Sequence, residues 1–104
     1  MHALIDDRRA ELAALCRRFD VVRLDVFGSA ARGTDFDLDR SDADFLVSFA
    51  PRVRDNLTVF FDLKDALEAL LKRPVDLVEH EAVAKSCNYL RRRRILAEAQ
   101  PIYG

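Results

Sequence analysis

The sequence predicts an α/β fold, a small mixed β-sheet with helices packed on it. Short apolar runs typical of strands alternate along the chain with longer segments whose apolar residues recur at helical spacing. The chain has 104 residues with no internal repeat or linker, and this length suits one domain with a single core. We therefore expect one domain over residues 1–104, built as a sheet covered by helices.

The first half of the chain predicts one helix and two strands. The helix covers residues 3–18, because its apolar positions share one face; they are Ile5, Leu12, Cys16 and Phe19. Residues 21–27 are rich in β-branched and apolar side chains and stop at Gly28, which predicts the first strand. Residues 42–49 predict a second strand, which ends before Pro51.

The second half predicts a long helix, a short strand and a last helix. The long helix covers residues 56–73 and has Asn56 or Asp55 as its N-cap. The apolar run 75–78 predicts the third strand. Residues 81–100 predict the last helix, with four apolar positions facing inward; these are Val83, Cys87, Leu90 and Leu96.

The composition is that of an ordinary globular protein. Its 17 basic and 18 acidic residues give a net charge of −1, which provides no general attraction to nucleic acid or to a membrane. No apolar run approaches the roughly 20 residues of a membrane span, and the N-terminus has no signal-peptide core. A cytoplasmic protein is expected, and direct binding to nucleic acid is not. Cys16 and Cys87 have no C-x-x-C spacing, which predicts two buried free thiols.

A turn able to hold phosphate follows the first strand. Gly28 lets the backbone turn and approach a ligand closely, and Ser29 offers a hydroxyl where a strand gives way to a short helix. Arg32 lies one turn further on and is a candidate for binding a phosphate or for pairing with a nearby carboxylate. The segment is neither a P-loop nor a dinucleotide fingerprint, because Thr34 replaces the required lysine and Ala30 a required glycine. An ordinary strand-to-helix turn is the alternative.

An Asp-x-Asp pair opens the second strand. Asp42 and Asp44 are two positions apart, so both carboxylates project from one face of the strand. Two adjacent carboxylates repel each other unless a cation lies between them, and hard oxygen ligands of this kind suit Mg²⁺. The alternative is a pair of solvated carboxylates.

The acid-rich segment 35–39 offers further Asp-x-Asp pairs. An EF-hand beginning at Asp35 fails, because Arg40 stands at the glycine position and Leu46 at the final glutamate position. The pair at 42 and 44 is preferred, since it alone leads directly into a buried strand. The acids of the segment are expected to form a solvated connection.

A third carboxylate is predicted at Asp76, because a two-metal site normally recruits one from another element. This residue lies inside the apolar run 75–78, where an ionised side chain would be costly to bury without a partner. A neighbouring strand carrying Asp42 and Asp44 would supply that partner through a shared metal. A carboxylate facing water on an edge strand is the alternative.

The run Arg91–Arg94 distributes its side chains around a helix. The simpler interpretation is a solvated helix in which the aliphatic parts of the arginine side chains lie on the protein surface. A contact with the acidic face of a partner, or with RNA held by a partner, is the alternative.

Taken in order, these features resemble the minimal nucleotidyltransferase (MNT) family of the DNA polymerase β-like superfamily. The resemblance extends from Val22 to Tyr103 and rests on a helix and a strand, G-S-x-x-R-G, S-D-x-D, a long helix, R-P-V-D-L-V and a basic helix ending R-I-L-x-E-A-x-P-I-Y. It implies the polymerase β-like nucleotidyltransferase fold. The chain departs from the pattern of this family in one respect. Twelve residues separate Ser29 from Asp42, slightly more than the pattern has, and the extra residues fall in the acidic loop.

The resemblance also implies a function. Members of the family are typically antitoxins paired with a HEPN-domain toxin encoded beside them, and they transfer AMP from ATP to a tyrosine of that toxin. By the resemblance, Gly28 and Ser29 hold the nucleotide triphosphate with Arg32 as a helper, while three carboxylates bind two Mg²⁺ ions and form the catalytic set; these are Asp42, Asp44 and Asp76. Two alternatives remain, a catalytically inactive antitoxin that acts by occlusion and a nucleotidyltransferase for a small molecule.

Overall fold

The computed structural model describes residues 3–32, 42–85 and 88–104. The helices are α1 Ala3–Asp6, α2 Arg9–Arg18, α3 Gly28–Arg32, α4 Leu57–Leu71, α5 His80–Ala84 and α6 Tyr89–Glu98, with a 3₁₀ turn at Pro51–Val53. The strands are β1 Val21–Phe27, β2 Ala43–Phe49, β3 Val75–Glu79 and β4 Gln100–Tyr103. None of the helices in these ranges is long and apolar enough to cross a membrane.

The four strands form one mixed sheet in the order β3-β2-β1-β4. β1 pairs antiparallel with β2 and with β4, whereas β2 pairs parallel with β3. A parallel pair needs a crossover between its strands, and α4 lies in the connection from β2 to β3. The predicted α/β fold with a small mixed sheet is confirmed.

Each face of the sheet packs against helices. On one face, alternate strand residues such as Leu24, Phe45 and Val47 join α2 and α4 in the main core. On the other face, a smaller cluster joins the sheet to α5 and α6; its buried residues are Phe27, Leu46, Val83 and Ile95. The second face is therefore only partly covered, and it is the one that carries the candidate site.

The long helix begins and ends as its sequence dictates. The side chain of Asn56 accepts hydrogen bonds from the backbone N–H groups of Thr58 and Val59 at 3.0 and 3.2 Å, which confirms it as the N-cap. At the other end, Lys72 takes the left-handed conformation with φ 56° and closes α4 before β3. The carboxylate of Glu68 then accepts the backbone N–H of Val75 at 3.0 Å, which ties the last turns of α4 to the start of β3.

Two predicted helices differ from the structure. The first is divided into α1 and α2 at Asp7 and Arg8. The predicted helix over 81–100 is wrong in extent, because α5 and α6 are separate and Gln100–Tyr103 is strand β4. The proline in β4 is consistent with the position of this strand at the edge of the sheet, where proline is tolerated.

The inward face of α6 also differs from the prediction. Ile95 is buried, whereas Leu90 is 76% exposed and Leu96 is 40% exposed. Leu90 lies five positions before Ile95, about 140° around the helix, so the two cannot share a face. Cys16 is a buried free thiol as predicted, and Cys87 lies outside the described residues.

Candidate active site

The turn after β1 is held against Asp44. Gly28 begins α3 with a φ of +69°, and a β-carbon built on it would lie 2.5 Å from Oδ2 of Asp44. Both facts favour glycine here, since other residues rarely adopt this φ and a β-carbon would require the carboxylate of Asp44 to move. The strand-to-helix turn and the carboxylate on β2 are thus in direct contact.

Small side chains let α3 lie close to the sheet. Ala30 and Ala31 are 0% and 1% exposed, and the carbonyl of Ala31 accepts a hydrogen bond from Nε2 of Gln100 at 3.2 Å. This bond fastens the turn to β4, which lies beside β1 in the sheet. The side chains of Ser29 and Arg32 lie outside the described part of the structure, and so do residues 33–41 with the acidic loop.

Asp44 and Asp76 are directly opposite each other. They are register partners in the parallel pair of β2 and β3, so their Cα atoms are about 5 Å apart and their side chains project from the same face. Val78, two positions after Asp76, packs on the cluster that contains Leu46 and Ile95. The two carboxylates therefore lie on the face that carries α5 and α6.

Asp42 directly precedes β2, at the position that strand alternation assigns to the face of Asp44. The backbone pairing has begun at the next residue, where the N–H of Ala43 donates to the carbonyl of Pro74 at 3.1 Å. Asp42 is exposed and Asp44 is half-buried. These two carboxylates are held by a strand whose following residues are buried.

Asp76 is exposed on an edge strand, which is the environment of the alternative, a carboxylate facing water, so burial does not give it a need for a partner. Strand alternation turns Val75 and Leu77 towards the main core and Asp76 towards the other face, where its carboxylate reaches water at this edge of the sheet. Its apolar neighbours in the sequence belong to the opposite face of the strand.

The carboxylates of the site suit Mg²⁺ if water and phosphate complete its coordination. Within residues 3–32, 42–85 and 88–104, no three Asp, Glu, His or Cys side chains converge on one metal position. Mg²⁺ commonly takes only one or two protein carboxylates and completes its shell with water and phosphate. Carboxylates on adjacent strands, facing one way and accessible to water, fit this requirement.

A cleft of about 290 Å³ lies between the turn and α6. It is lined by Phe27, Gly28, Asp44, Arg91, Arg94, Ile95 and Glu98. Nε of Arg94 contacts Oε1 of Glu98 at 3.4 Å. Asp42 and Asp76 are not among the described residues that line this cleft. The cleft combines an apolar base with two guanidinium groups and two carboxylates, that of Asp44, which contacts Gly28, and that of Glu98, which pairs with Arg94.

The two arginines of this cleft were not predicted as site residues from the sequence. Arg91, Arg94 and Glu98 are spaced i, i+3 and i+7, which places them on one side of a helix. This spacing could have indicated from the sequence that the three side chains act together. Which side of the helix faces the turn, however, follows only from the burial of Ile95.

A mixed sheet with a glycine turn after β1 and carboxylates on the neighbouring strands defines the chain as a polymerase β-like nucleotidyltransferase by fold. Residues 10–102 match the family model of the nucleotidyltransferase domain. A solved structure of a proposed minimal nucleotidyltransferase is 36% identical, with 97% of this chain and 96% of that chain covered and a TM-score of 0.74. The chain belongs to the minimal nucleotidyltransferase family.

Two further solved structures share the fold. One is a toxin-antitoxin complex with AMP-PNP, 23% identical over 92% of this chain and 73% of that chain, with a TM-score of 0.67. The other is an MNT antitoxin in complex with a tri-AMPylated HEPN toxin of Shewanella oneidensis, 20% identical over 96% and 72%, with a TM-score of 0.64. No curated protein matches the chain.

Proposed function

We propose that this protein is the antitoxin of a HEPN/MNT-type toxin-antitoxin pair and that it transfers AMP from ATP to a tyrosine of the toxin. The toxin would be the product of the adjacent gene. The observation that carries the proposal is the contact between the Gly28 turn and Asp44, with Asp76 opposite Asp44 on the next strand. Nucleotidyl transfer needs a phosphate-binding turn beside metal-binding carboxylates.

The structural neighbours support the choice of nucleotide and acceptor. A structure of similar fold contains AMP-PNP, an ATP analogue, and another contains a tri-AMPylated HEPN toxin. Both are complexes of a toxin with an antitoxin. The proposal extends these two properties, ATP as the donor and a toxin as the acceptor, to this chain.

The carboxylates would hold the divalent ions. Asp42, Asp44 and Asp76 would bind two Mg²⁺ ions, which when bound lower the pKa of an attacking hydroxyl and neutralise charge on the triphosphate. Asp44 and Asp42 are fixed by β2, and Asp76 at the exposed edge can accept the proton that leaves the tyrosine hydroxyl. An edge position also leaves this carboxylate open to an acceptor on another protein.

The turn would position the nucleotide. Gly28 and Ser29 would bind the triphosphate through backbone N–H groups and a hydroxyl, with Arg32 as a helper. In the transfer, the tyrosine oxygen forms a bond to the α-phosphorus and the bond from that phosphorus to pyrophosphate breaks. The products are AMP-tyrosine and pyrophosphate, and the protein mainly holds the reactants in line.

The test is transfer of label to the partner. The chain, labelled ATP, Mg²⁺ and the purified product of the adjacent gene are incubated, and the label on the partner is measured. Wild type and Asp62→Asn, which changes an exposed carboxylate on α4, should label the partner equally. Asp42→Asn combined with Asp44→Asn should abolish labelling.

Two outcomes would contradict parts of the proposal. Labelling that persists in the double variant would reject these aspartates as the metal ligands. A wild-type chain that binds and silences the partner without labelling it would make the protein an antitoxin that acts by occlusion. Omission of Mg²⁺ should stop the reaction in wild type.

A further inference from the structure

The run Arg91–Arg94 is divided between different roles by the way α6 docks. Arg91 and Arg94 line the cleft beside Gly28 and Asp44. Nη1 of Arg92 instead donates to the carbonyl of Ala84 at 3.3 Å, which ties α6 to α5. Arg93 is exposed and is not among the residues lining the cleft. Two of the four arginines therefore belong to the candidate active site.

Both cleft arginines have guanidinium nitrogens that can bind an anion, although the guanidinium of Arg94 is partly engaged by Glu98. Nε of Arg94 contacts Glu98 at 3.4 Å, and this contact leaves its Nη nitrogens to other partners while limiting the motion of the side chain. Arg91 forms no ion pair with any residue in the described part of the chain. Guanidinium groups bind phosphate oxygens in bidentate fashion more strongly than they bind neutral acceptors.

The size and position of the cleft indicate which anion it would take. Its volume of about 290 Å³ lies just below the roughly 300–1,000 Å³ of small-molecule sites. It therefore suits part of a nucleotide better than a whole one. It adjoins the turn and Asp44, the two features to which the proposed function assigns the triphosphate and a metal ion.

We propose that Arg91 and Arg94 bind the β- and γ-phosphates of the nucleotide, so that α6 forms one wall of the nucleotide site. This inference rests on the proposed function. When the bond to the α-phosphorus breaks, these two phosphates leave as pyrophosphate and gain negative charge. Two fixed guanidinium groups beside the leaving group stabilise that charge where it develops. Glu98 acts as a positioning residue for Arg94.

The test is binding of ATP and of AMP to the full-length chain in Mg²⁺, measured by calorimetry without any acceptor. AMP lacks the two phosphates, so it reports on the rest of the site. Arg91→Ala and Arg94→Ala should each weaken ATP binding about tenfold and leave AMP binding unchanged. Arg93→Ala is the matched control, because it removes the same side chain from the same helix, and it should bind ATP as wild type does.

A second pair of variants guards against misfolding. Arg91→Lys and Arg94→Lys keep the charge and the aliphatic stem but lose the bidentate geometry, and they should weaken ATP binding by less than the alanine variants. If Arg91→Ala and Arg94→Ala bind ATP as tightly as Arg93→Ala does, the inference is overturned. It is also overturned if these two variants lose ATP binding and AMP binding to the same extent. If the alanine variants bind ATP as wild type does but no longer label the product of the adjacent gene in the transfer assay, the inference is overturned and the arginines are a docking surface for that partner.

The inference and the proposed function can fail separately. A chain that binds ATP through both arginines yet labels no partner would leave the inference standing and reject the transfer activity. If a variant that combines Arg91→Ala with Arg94→Ala transfers AMP as wild type does, the inference is rejected and the proposed function stands. A wild-type chain that binds no ATP in Mg²⁺ would overturn both.

Discussion

Gly28 and Asp44 are in such close contact that a β-carbon on the glycine would lie 2.5 Å from Oδ2 of the aspartate. The contact joins two elements that are adjacent in the sheet and separate in the chain, since Phe27 at the end of β1 is the register partner of Asp44 on β2. The distance between the turn and the carboxylate is thus fixed by strand pairing. A group bound at one of them is held close to a group bound at the other.

Gly28→Ala should therefore disturb both the fold and the site. The left-handed φ of +69° costs an alanine about 1–2 kcal/mol, and the new methyl group must displace the carboxylate. We expect a loss of at least this size in the free energy of unfolding, measured in urea, and the loss of nucleotide transfer.

A double-mutant cycle separates the two causes of that loss. Asp44→Ala removes the atoms that the new methyl group would meet, so the combined variant should lose less stability than the sum of the two single variants. Additive losses would show that the carboxylate moves away without cost and that only the backbone conformation is strained.

Asp76→Asn should stabilise the protein when no divalent ion is present. Asp44 and Asp76 are register partners on adjacent parallel strands, and two like charges about 5 Å apart beside water repel each other by up to about 1 kcal/mol. Thermal unfolding in EDTA should show a higher melting temperature for Asp76→Asn than for wild type. Addition of Mg²⁺ and ATP should stabilise wild type but not the variant. Asp65→Asn on the exposed side of α4 is the control and should show neither effect. A variant less stable than wild type in EDTA would contradict the repulsion.

The sequence predicted the elements whose signals are local. The residues that specify each of these elements lie close together in the chain, so propensity and periodicity were sufficient to predict them. The elements are strands β1 and β2, the Asn56 cap and the apolar face of α4. β4 was missed because its four residues, with a proline among them, are a strand only through their pairing with β1. Pairing between distant segments leaves no periodic pattern in so short a segment.

The same division applies to the candidate site. Gly28 and the pair at Asp42 and Asp44 could be predicted, because the turn and the strand alternation are encoded next to those residues. The place of Arg91 and Arg94 could not, because the side of α6 that meets the turn is decided by Ile95 packing on Phe27 and Leu46. Four arginines in a row carry no information about that docking.

Glu68 should matter to the site although it lies outside it. Its Oε2 accepts the N–H of Val75, the residue before Asp76, at 3.0 Å. Glu68→Ala leaves this part-buried N–H without an acceptor, which costs about 1–3 kcal/mol of the free energy of unfolding. The start of β3, and with it Asp76, is then held less firmly. Urea unfolding should show the loss, and exchange of the Val75 amide hydrogen should become faster.

The conservative variant of Glu68 tests that reasoning. Glu68→Gln keeps an oxygen at the same distance, so it should retain most of the stability and of the amide protection. Equal effects of the alanine and glutamine variants would mean that the charge of Glu68 matters and the hydrogen bond to Val75 does not.

Cys16 predicts how stability changes at high pH. Burial in the core raises the pKa of its thiol from 9.0 to about 12, an effect that the charge of Arg17 only partly opposes. The folded state therefore keeps its thiol proton between pH 9 and 12, while the unfolded state loses it. Since the unfolded state binds fewer protons in this range, stability is fully present below pH 9 and falls as pH rises towards 12, by up to about 1.4 kcal/mol per pH unit.

The Cys16→Ala variant isolates this contribution from the other groups that titrate at high pH. We expect it to be less stable than wild type at pH 8, because it loses a buried side chain. Between pH 9 and pH 11 its free energy of unfolding should fall less steeply than that of wild type, so the two curves should converge. Parallel curves would mean that the thiol keeps an ordinary pKa, and therefore that water reaches Cys16 between α2 and the sheet.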